Sequence, residues 1–198
     1  MDRHRVAIIG CGNIANNHAR AWQAAGERAE IAAIADTNED ALAEAGDAWR
    51  VSADHAYLDF RELLDRERPD IVSICTWTHL HAPATIAAAA RRPKVILCEK
   101  PMAAGLGEAD AMLTACRRNG VKLAIGHMRR FYPGWTQARQ LIAEGAIGTP
   151  VRAWSAVTEG LLNWGTHLID GVRYVLGDPP AEWVLGAVTR DTGNGLRA

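Results

Sequence analysis

Phosphate binding is the first chemistry that the sequence indicates, and the segment Gly10-Cys-Gly12-Asn-Ile-Ala15 carries it. This segment follows a short apolar run and opens a predicted helix, which is the context of the dinucleotide-binding fingerprint. Gly10 permits a tight turn, and Gly12 has no Cβ that would keep a pyrophosphate from the backbone. We predict that Gly10, Gly12, Asn13 and Ile14 contact a dinucleotide at the positive end of that helix. A glycine turn of purely structural origin is the alternative.

A carboxylate, Asp36, follows the second predicted strand at the spacing of about 20 residues that this fingerprint requires. Its oxygens can accept hydrogen bonds from the ribose hydroxyls of NAD, and its charge would repel the 2′-phosphate of NADP. No lysine or arginine lies between Asp36 and Arg50 to bind such a phosphate. The pattern therefore predicts NAD, with NADP less favoured. The alternative is that Asp36 caps the helix that follows, and one carboxylate can do both.

Polar residues also follow the strands predicted at 71–75 and 95–98. Open α/β sheets bind ligands beyond the carboxyl ends of their strands, so we predict that the residues at these positions contact the dinucleotide cofactor. Thr76, Trp77 and His81 follow the former strand, and Glu99 and Lys100 follow the latter. A surface ion pair between Glu99 and Lys100, worth less than about 1 kcal/mol, is the competing interpretation.

A third group of polar residues lies further along the chain, where Asn163, His167, Asp170 and Tyr174 recur at helical spacing. On a helix that starts near Leu162 they share one face, and the opposite face is apolar. A polar stripe of this kind is typical of a solvated helix surface as well as of a site. Spacing alone therefore does not decide between the two.

The elements that must position these residues alternate between strand and helix through the first two thirds of the chain. Predicted strands are short runs that are apolar on both faces, at 6–9, 30–35, 71–75, 95–98 and 121–125. Alanine-rich stretches between them favour helices at 13–25, 38–48, 79–91 and 107–119. This alternation predicts an α/β fold in which residues 1–125 form a Rossmann domain with a doubly wound parallel sheet.

The pattern changes after residue 125. Apolar residues recur at helical spacing from Phe131 to Ile142, and a candidate strand follows at Val151–Thr158. We predict that residues 126–198 form an incomplete α+β domain with few strands. Because so small a sheet would leave an apolar face and an unpaired edge, we also expect self-association into a homo-oligomer.

Composition excludes several classes of protein. The chain has 198 residues, 48% of them hydrophobic, and a formal net charge of -1, so it is globular and lacks the basic face that nucleic acid requires. Its four cysteines form no Cys-x-x-Cys pair, which predicts buried thiols and no metal site. The N-terminal apolar run is too short for a signal peptide or a membrane span, which predicts a cytoplasmic protein with no membrane partner.

Taken together, the motifs resemble those of the Gfo/Idh/MocA family, whose name joins glucose-fructose oxidoreductase, inositol dehydrogenase and a rhizopine-catabolism protein. Besides the glycine turn and Asp36, the matching blocks are Thr76–His81, Glu99–Pro101, Arg130–Pro133, Glu144–Gly148 and Asn163–Asp170. The Glu-Lys-Pro step, in register with the others, is the most specific of them. The resemblance implies an NAD-dependent oxidoreductase that acts on a secondary hydroxyl of a sugar or polyol.

By that resemblance, Lys100 reaches both the nicotinamide ribose and the substrate hydroxyl, and the peptide before Pro101 is cis. His167 exchanges the hydroxyl proton while hydride passes to the nicotinamide. Asn163 stands where the family has a carboxylate, so the charge that would support an imidazolium is missing there. Asp170, one helical turn away, is the residue that can supply part of it.

Trp77 is the other departure from the family pattern, since many members have proline at that position. Its indole either stacks near the cofactor or packs against the core. Two further functions also stay open. Asn163 and the short second domain are consistent with an NAD-binding module without catalysis, either regulatory or a decayed enzyme. Some relatives of this fold are glycosidases that use NAD to oxidise a sugar transiently, which is the third alternative.

Overall fold

The computed structural model describes residues 3–158 and 160–187. The chain divides into two compact units, the first ending at Gly126 and the second beginning at His127. Within the described residues, every strand belongs to the first unit, and the second unit contains helical elements.

A six-stranded parallel sheet forms the centre of the first unit. Its strands are β1 (His4–Ile9), β2 (Ala29–Ala35), β3 (Ala56–Tyr57), β4 (Ile71–Ile74), β5 (Val95–Cys98) and β6 (Lys122–Ile125). They lie in the spatial order β3-β2-β1-β4-β5-β6, so the chain winds outward in opposite directions on the two sides of the β1/β4 pair. Ligands bind at such a switch point in open sheets. The doubly wound α/β fold predicted from the sequence is confirmed.

Five helices of this unit cover the two faces of the sheet. They are α1 (Ala15–Ala24), α2 (Glu39–Trp49), α3 (Phe60–Glu67), α4 (Thr78–Ala90) and α5 (Leu106–Asn119). Their ends follow local chemistry. The Asn38 side chain caps α2 by accepting the amides of Asp40 and Ala41 at 2.9 and 3.1 Å. Gly120, at φ 71°, ends α5 in the left-handed conformation that favours glycine.

The core lies on both faces of the sheet, and β1 shows why its sequence is apolar throughout. Val6 and Ile8 pack on the side of α1 and α2, whereas Ala7 and Ile9 pack on the side of α3, α4 and α5. All four are at most 2% exposed. A strand buried on both faces favours apolar residues at every position, which explains the continuous apolar run.

Two elements of this unit were missing from the sequence prediction, β3 and α3. Strand β3 has only two residues and lies at the edge of the sheet beside β2, so it leaves no periodic signal. Helix α3 begins at Asp59, whose carboxylate accepts the amide of Arg61 at 2.8 Å. Its buried residues, Leu63 and Leu64, are adjacent in the sequence and do not form a helical stripe.

The second unit contains α6 (Pro133–Ala143) and α7 (Thr166–Val175), and a π turn at Leu161–Gly165 leads into α7. The helix predicted up to Ile142 is confirmed. The strand predicted at Val151–Thr158 is wrong, because a strand needs a hydrogen-bonded neighbour and no described segment pairs with it. The described part of residues 126–198 therefore has helices without the expected strands.

Candidate functional site

The glycine-rich turn lies between β1 and α1, at the carboxyl edge of the sheet. Gly10 has a φ of 91°, which glycine adopts without strain, and its amide donates to the Ala35 carbonyl at 2.7 Å. A Cβ at this position would lie 2.8 Å from the backbone of Cys75. A Cβ on Gly12, by contrast, would meet no atom within 4 Å. The conformation of Gly10 therefore makes the tight turn possible, and the missing side chain of Gly12 leaves space beside the turn for a ligand.

Helix α1 begins without a capping side chain, and no acidic residue occupies its first turn. No side chain therefore compensates the positive end of its dipole, which follows Gly12, Asn13 and Ile14. An anion is the natural ligand of such a helix start. The residues present thus fit the diphosphate of a dinucleotide cofactor.

The Asp36 carboxylate is held beside this turn. One oxygen accepts the amide of Cys11 at 2.7 Å, and the other accepts the amide of Asn38 at 2.9 Å. Because Asn38 caps α2, the helix-capping alternative for Asp36 is wrong. The residue stays partly exposed at the end of β2, where a carboxylate can bind the ribose of a dinucleotide.

The residues after β4 divide between the surface and the core. Trp77 is 81% exposed, which excludes packing against the core, and Thr76 is partly exposed at the strand end. His81 is 1% exposed, and its ring nitrogens lie 2.8 Å from the Pro101 carbonyl and 3.0 Å from the Thr76 carbonyl. Both nitrogens are used on the backbone, so the direct cofactor contact predicted for His81 is corrected to an indirect role.

Glu99 and Lys100 follow β5 at the same edge of the sheet. Glu99 is 7% exposed, which excludes the surface ion pair considered from the sequence. Its carboxylate accepts the backbone amide of Lys100 at 3.0 Å and lies 3.0 Å from His18 Nε2. Burial alone raises the pKa of Glu99, but the hydrogen bonds from His18 and the Lys100 amide outweigh it and hold that pKa below its usual range. The Lys100–Pro101 peptide is cis, as the resemblance implies.

His18 is a residue that the sequence interpretation missed. It lies on α1, is 8% exposed, and its ring lies between Glu99 and Ser73 of β4. The signal that could have found it is a histidine on the small apolar face that α1 buries with Ala15 and Ala19. Because the Glu99 side chain is buried and engaged inside the protein, the direct contact with the cofactor predicted for it is not supported.

Asn163 and His167 belong to the second unit, whereas Lys100 belongs to the first. The helix predicted to start near Leu162 becomes α-helical only at Thr166, because the preceding residues form a wider π turn. Asn163 lies in that turn and is exposed, whereas His167 is 8% exposed. The His167 ring packs edge-to-face on other rings of its own unit, among them that of Trp164 at a centroid distance of 6.4 Å.

The polar face of α7 carries its buried residues, which argues against the alternative of a solvated stripe. Its buried residues are His167 and Gly171, whereas Ile169, on the predicted apolar face, is 56% exposed. Gly171 lies against α6, since a Cβ there would stand 2.5 Å from the Trp135 ring. The small residue lets the two helices approach each other on the side that carries the polar residues.

Asp170 is engaged by a cation. Arg130 donates to both Asp170 oxygens at 2.7 to 2.9 Å and also donates to Asp178 at 2.7 Å. The bonds to these two carboxylates raise the pKa of Arg130 above its ordinary value. Because Arg130 compensates the charge of Asp170, the idea that Asp170 replaces the carboxylate missing at Asn163 is not supported.

The four cysteines are buried free thiols, as predicted. Burial, and secondarily the charge of Asp36, raises the pKa of Cys11 to about 12, so this thiol stays protonated beside the glycine turn. Across residues 3–158 and 160–187, no three His, Cys, Asp or Glu side chains are grouped so as to hold a metal ion. In the same part of the chain, no helix combines the length and the apolar character that a membrane crossing requires.

Comparison with known proteins finds relatives that match most of this chain. The family model GFO_IDH_MocA, an oxidoreductase family with an NAD-binding Rossmann fold, matches residues 4–127. The chain is 31% identical over 195 residues to D-apiose dehydrogenase of Paraburkholderia graminis, covering 90% of this chain and 51% of that protein. It is 30% identical over 192 residues to myo-inositol 2-dehydrogenase of Thermotoga maritima, covering 90% and 56%. The chain thus spans about half the length of the curated relatives it matches.

Solved structures give the same result. The WlbA dehydrogenase from Bordetella pertussis, in complex with NADH and UDP-GlcNAcA, is similar with a TM-score of 0.78 and 25% identity, over 88% of this chain and 59% of that one. An oxidoreductase from Agrobacterium radiobacter, in complex with NAD+, L-tartaric acid and magnesium, gives a TM-score of 0.77 and 29% identity, over 88% and 55%. Both were solved with NAD in its oxidised or reduced form.

Proposed function

Since this chain belongs to the Gfo/Idh/MocA family of oxidoreductases with an NAD-binding Rossmann fold, we propose that it binds NAD(H) and transfers hydride between this cofactor and a secondary hydroxyl of a sugar or polyol. One observation carries the proposal: Gly12 clears the start of an uncapped helix while the Asp36 carboxylate is fixed beside the same turn. The substrate class is supported by relatives named as dehydrogenases of apiose and inositol.

The preference for NAD over NADP is part of this proposal. A 2′-phosphate on the adenosine ribose would face the charge of Asp36, and two like charges about 4 Å apart repel by about 1 kcal/mol even in water. The first basic residue after Asp36 is Arg50, which follows the far end of α2. No cation of this segment is therefore placed to bind the extra phosphate.

The proposed chemistry assigns one task to each side chain. When bound, NAD supplies the hydride acceptor. Lys100 donates a hydrogen bond to the substrate hydroxyl and favours its deprotonation, and His167 accepts the proton. Asn163 orients a hydroxyl through its amide, but it has no charge with which to stabilise the imidazolium that results.

Replacement of Lys100 tests the catalytic part. Lys100→Met keeps the length of the side chain and removes its charge, so we expect turnover with the best substrate in a panel of inositols and aldoses to fall by about 10²- to 10⁴-fold. The Kd for NADH should change by less than about threefold, because the lysine acts on the reacting hydroxyl. Steady-state kinetics and NADH fluorescence measure the two effects, with the exposed Lys122→Met as control. Equal losses of turnover and NADH affinity would contradict this role.

An NAD-binding module without catalysis is the second candidate function. It is favoured by the exposed, uncharged Asn163 at the position where the family has a carboxylate. The two functions differ in a simple measurement on the wild-type protein. A module would change NADH fluorescence on binding and yet oxidise no sugar or polyol of the panel, whereas a dehydrogenase would form NADH from NAD with at least one of them.

A further inference from the structure

We propose that two buried histidines, His18 and His81, are positioning residues that fix Lys100 by holding the residues on either side of it. This inference rests on the proposed function, because it names the supports of the lysine that is assigned there to the substrate hydroxyl. It assigns a task to two side chains that face the interior of the first unit.

His18 holds Glu99, the residue before Lys100. His18 Nε2 lies 3.0 Å from Glu99 Oε1, and Glu99 Oε2 accepts the backbone amide of Lys100 at 3.0 Å. The carboxylate thus bridges a histidine of α1 and the peptide group of the lysine. The side chains of His18 and Glu99 are 8% and 9% exposed, so water competes little for these bonds.

The hydrogen bonds that lead from Trp22 through Ser73 and His18 to Glu99, here called the His18 arm, run in one direction, because each group donates to the next. Trp22 Nε1, which can only donate, lies 2.8 Å from Ser73 Oγ. The Ser73 hydroxyl can then donate to His18 Nδ1 at 3.3 Å, which assigns the ring proton of His18 to Nε2, where it is donated to Glu99. Trp22 and Ser73 therefore fix the plane and the tautomer of the His18 ring.

Gly126 confines Glu99 from another side. A Cβ at residue 126 would stand 2.9 Å from Glu99 Oε1 and 3.2 Å from its Cδ. The backbone cannot easily retreat, because the Gly126 amide donates to the Cys98 carbonyl at 2.8 Å. The carboxylate is therefore enclosed by the His18 ring, the Lys100 amide and the Gly126 backbone.

His81 holds Pro101, the residue after Lys100. Its Nδ1 lies 2.8 Å from the Pro101 carbonyl oxygen, and its Nε2 lies 3.0 Å from the Thr76 carbonyl oxygen. Carbonyl oxygens only accept, so the ring donates its proton to one of these two oxygens while it lies between both of them. The ring thereby ties the end of β4 to the backbone that follows the lysine, at a position where it is 1% exposed.

Lys100 is therefore the central residue of a segment that is held at both of its neighbours. A lysine side chain is long and flexible, and its ammonium group reaches a given hydroxyl reproducibly only when its backbone is fixed. In this inference Lys100 supplies the chemistry, and His18 and His81 supply the position of its backbone without touching substrate.

Selective labelling isolates the effect, because the chain contains only three lysines, Lys94, Lys100 and Lys122. The full chain labelled with ¹⁵N-lysine gives three backbone amide signals, and Lys100→Arg identifies the Lys100 signal by its loss. An amide that donates to a carboxylate resonates downfield and exchanges slowly with D2O. This signal reports the His18 arm directly, through the bond from the Lys100 amide to Glu99.

His18→Leu removes the donor to Glu99, and we expect the Lys100 amide to move upfield and to exchange about tenfold faster. His18→Gln retains an amide donor near the position of Nε2 and should restore the signal in part. For the second arm, His81→Leu should also shift the signal, and His81→Asn, whose amide stands near the position of Nδ1, should restore it. The exposed His79→Leu on the same helix is the matched control and should leave the signal unchanged.

Thermal melting shows whether each variant is folded, and Glu99→Gln tests the first arm independently if His18→Leu does not fold. In kinetic measurements the Leu variants should lower kcat by about tenfold or more and change the Kd for NADH by less than about threefold. The Gln and Asn variants should recover kcat.

A Lys100 signal that is the same in His18→Leu and His81→Leu as in His79→Leu overturns the inference. A wild-type protein that binds no NADH contradicts the proposed function instead, and the NMR comparison still decides whether the histidines hold Lys100.

Discussion

Asp36 is the residue on which the proposed preference for NAD over NADP depends. Its two oxygens accept the amides of Cys11 and Asn38, so the carboxylate is oriented before any ligand arrives. A fixed charge discriminates between ligands by repelling one of them as much as by binding the other. The residue therefore contributes to the turn and to the proposed choice of NAD at the same time.

Asp36→Asn keeps an oxygen acceptor and removes the charge. We expect the ratio of NADPH affinity to NADH affinity to rise about tenfold, because the repulsion of the 2′-phosphate disappears. Fluorescence titration with both nucleotides measures this ratio. Asp59→Asn, at the start of α3, is the control. An unchanged ratio in Asp36→Asn would mean that the carboxylate does not face the ribose.

The residues that sequence reasoning identified and those that it missed differ in the range of their contacts. Gly10, Gly12 and Asp36 were predicted as a group because a local turn, one helix and one strand fix their spacing along the chain. His18 was missed because its partners, Ser73 and Glu99, are distant in the sequence and meet it only in the folded sheet. The position of His81 after β4 was predicted, but whether its side chain turns outward or inward depends on packing.

At the scale of the element, the turn between β1 and α1 has two tasks that mutation can separate. Gly10→Ala places a Cβ 2.8 Å from the Cys75 backbone on a residue with φ 91°, so we expect the free energy of unfolding to fall by about 2 to 4 kcal/mol. Gly12→Ala meets no atom within 4 Å and should leave stability nearly unchanged while NADH affinity falls about tenfold or more. Urea unfolding and NADH titration of both variants measure the effects. Full NADH affinity in Gly12→Ala would contradict the diphosphate assignment.

Elements that bury apolar residues on both faces were predictable, and elements defined by their neighbours were not. The strands β1, β2, β4 and β5 follow from largely apolar runs, and β6 follows from a shorter run that contains the exposed Lys122. The segment Val151–Thr158 contains valine, tryptophan and threonine, which favour strands, but hydrogen-bonded pairing decides whether a strand forms. The polar face of α7 turned inward because Gly171 allows close contact with Trp135, which no pattern within α7 reveals.

At the scale of the whole molecule, Asp70 connects the amino ends of three strands. Its carboxylate accepts the amide of Arg5 in β1 at 3.0 Å and lies 2.9 Å from Lys94 Nζ, just before β5. The hydrogen bonds from Arg5 and Lys94 hold the pKa of Asp70 below its ordinary value. The stabilisation is therefore fully present above the pKa of the unfolded chain and is lost as the pH falls through the lower pKa of the folded state.

We expect Asp70→Asn to lower the free energy of unfolding by about 1 to 3 kcal/mol near neutral pH. The difference from the wild-type protein should shrink as the pH falls below the usual pKa of an aspartate, because the Asp70 carboxylate is then progressively protonated and becomes neutral like the asparagine amide. Chemical denaturation across this range measures it. Asp65→Asn, whose carboxylate pairs with Arg91 at the surface, is the control and should show little effect. A difference that is constant with pH would contradict the assignment.

The second unit exposes large apolar side chains, among them Val151, Trp154 and Trp183 at 97%, 85% and 79%. Since extensive apolar exposure is typical of interfaces, we predict that the chain self-associates at micromolar concentration. The double variant Trp154→Ser and Trp183→Ser should shift the equilibrium toward the monomer. Sedimentation velocity measures both, and a wild-type protein that sediments as a clean monomer would contradict the prediction.

Trp77 stands with 81% of its surface in solvent directly after Thr76, beside the switch point of the sheet. An indole emits near the wavelength at which a reduced nicotinamide absorbs, so an indole placed there can pass its excitation energy to the bound cofactor. Its fluorescence would therefore decrease when NADH binds at the glycine-rich turn. Tryptophan emission would then report cofactor binding without an added dye.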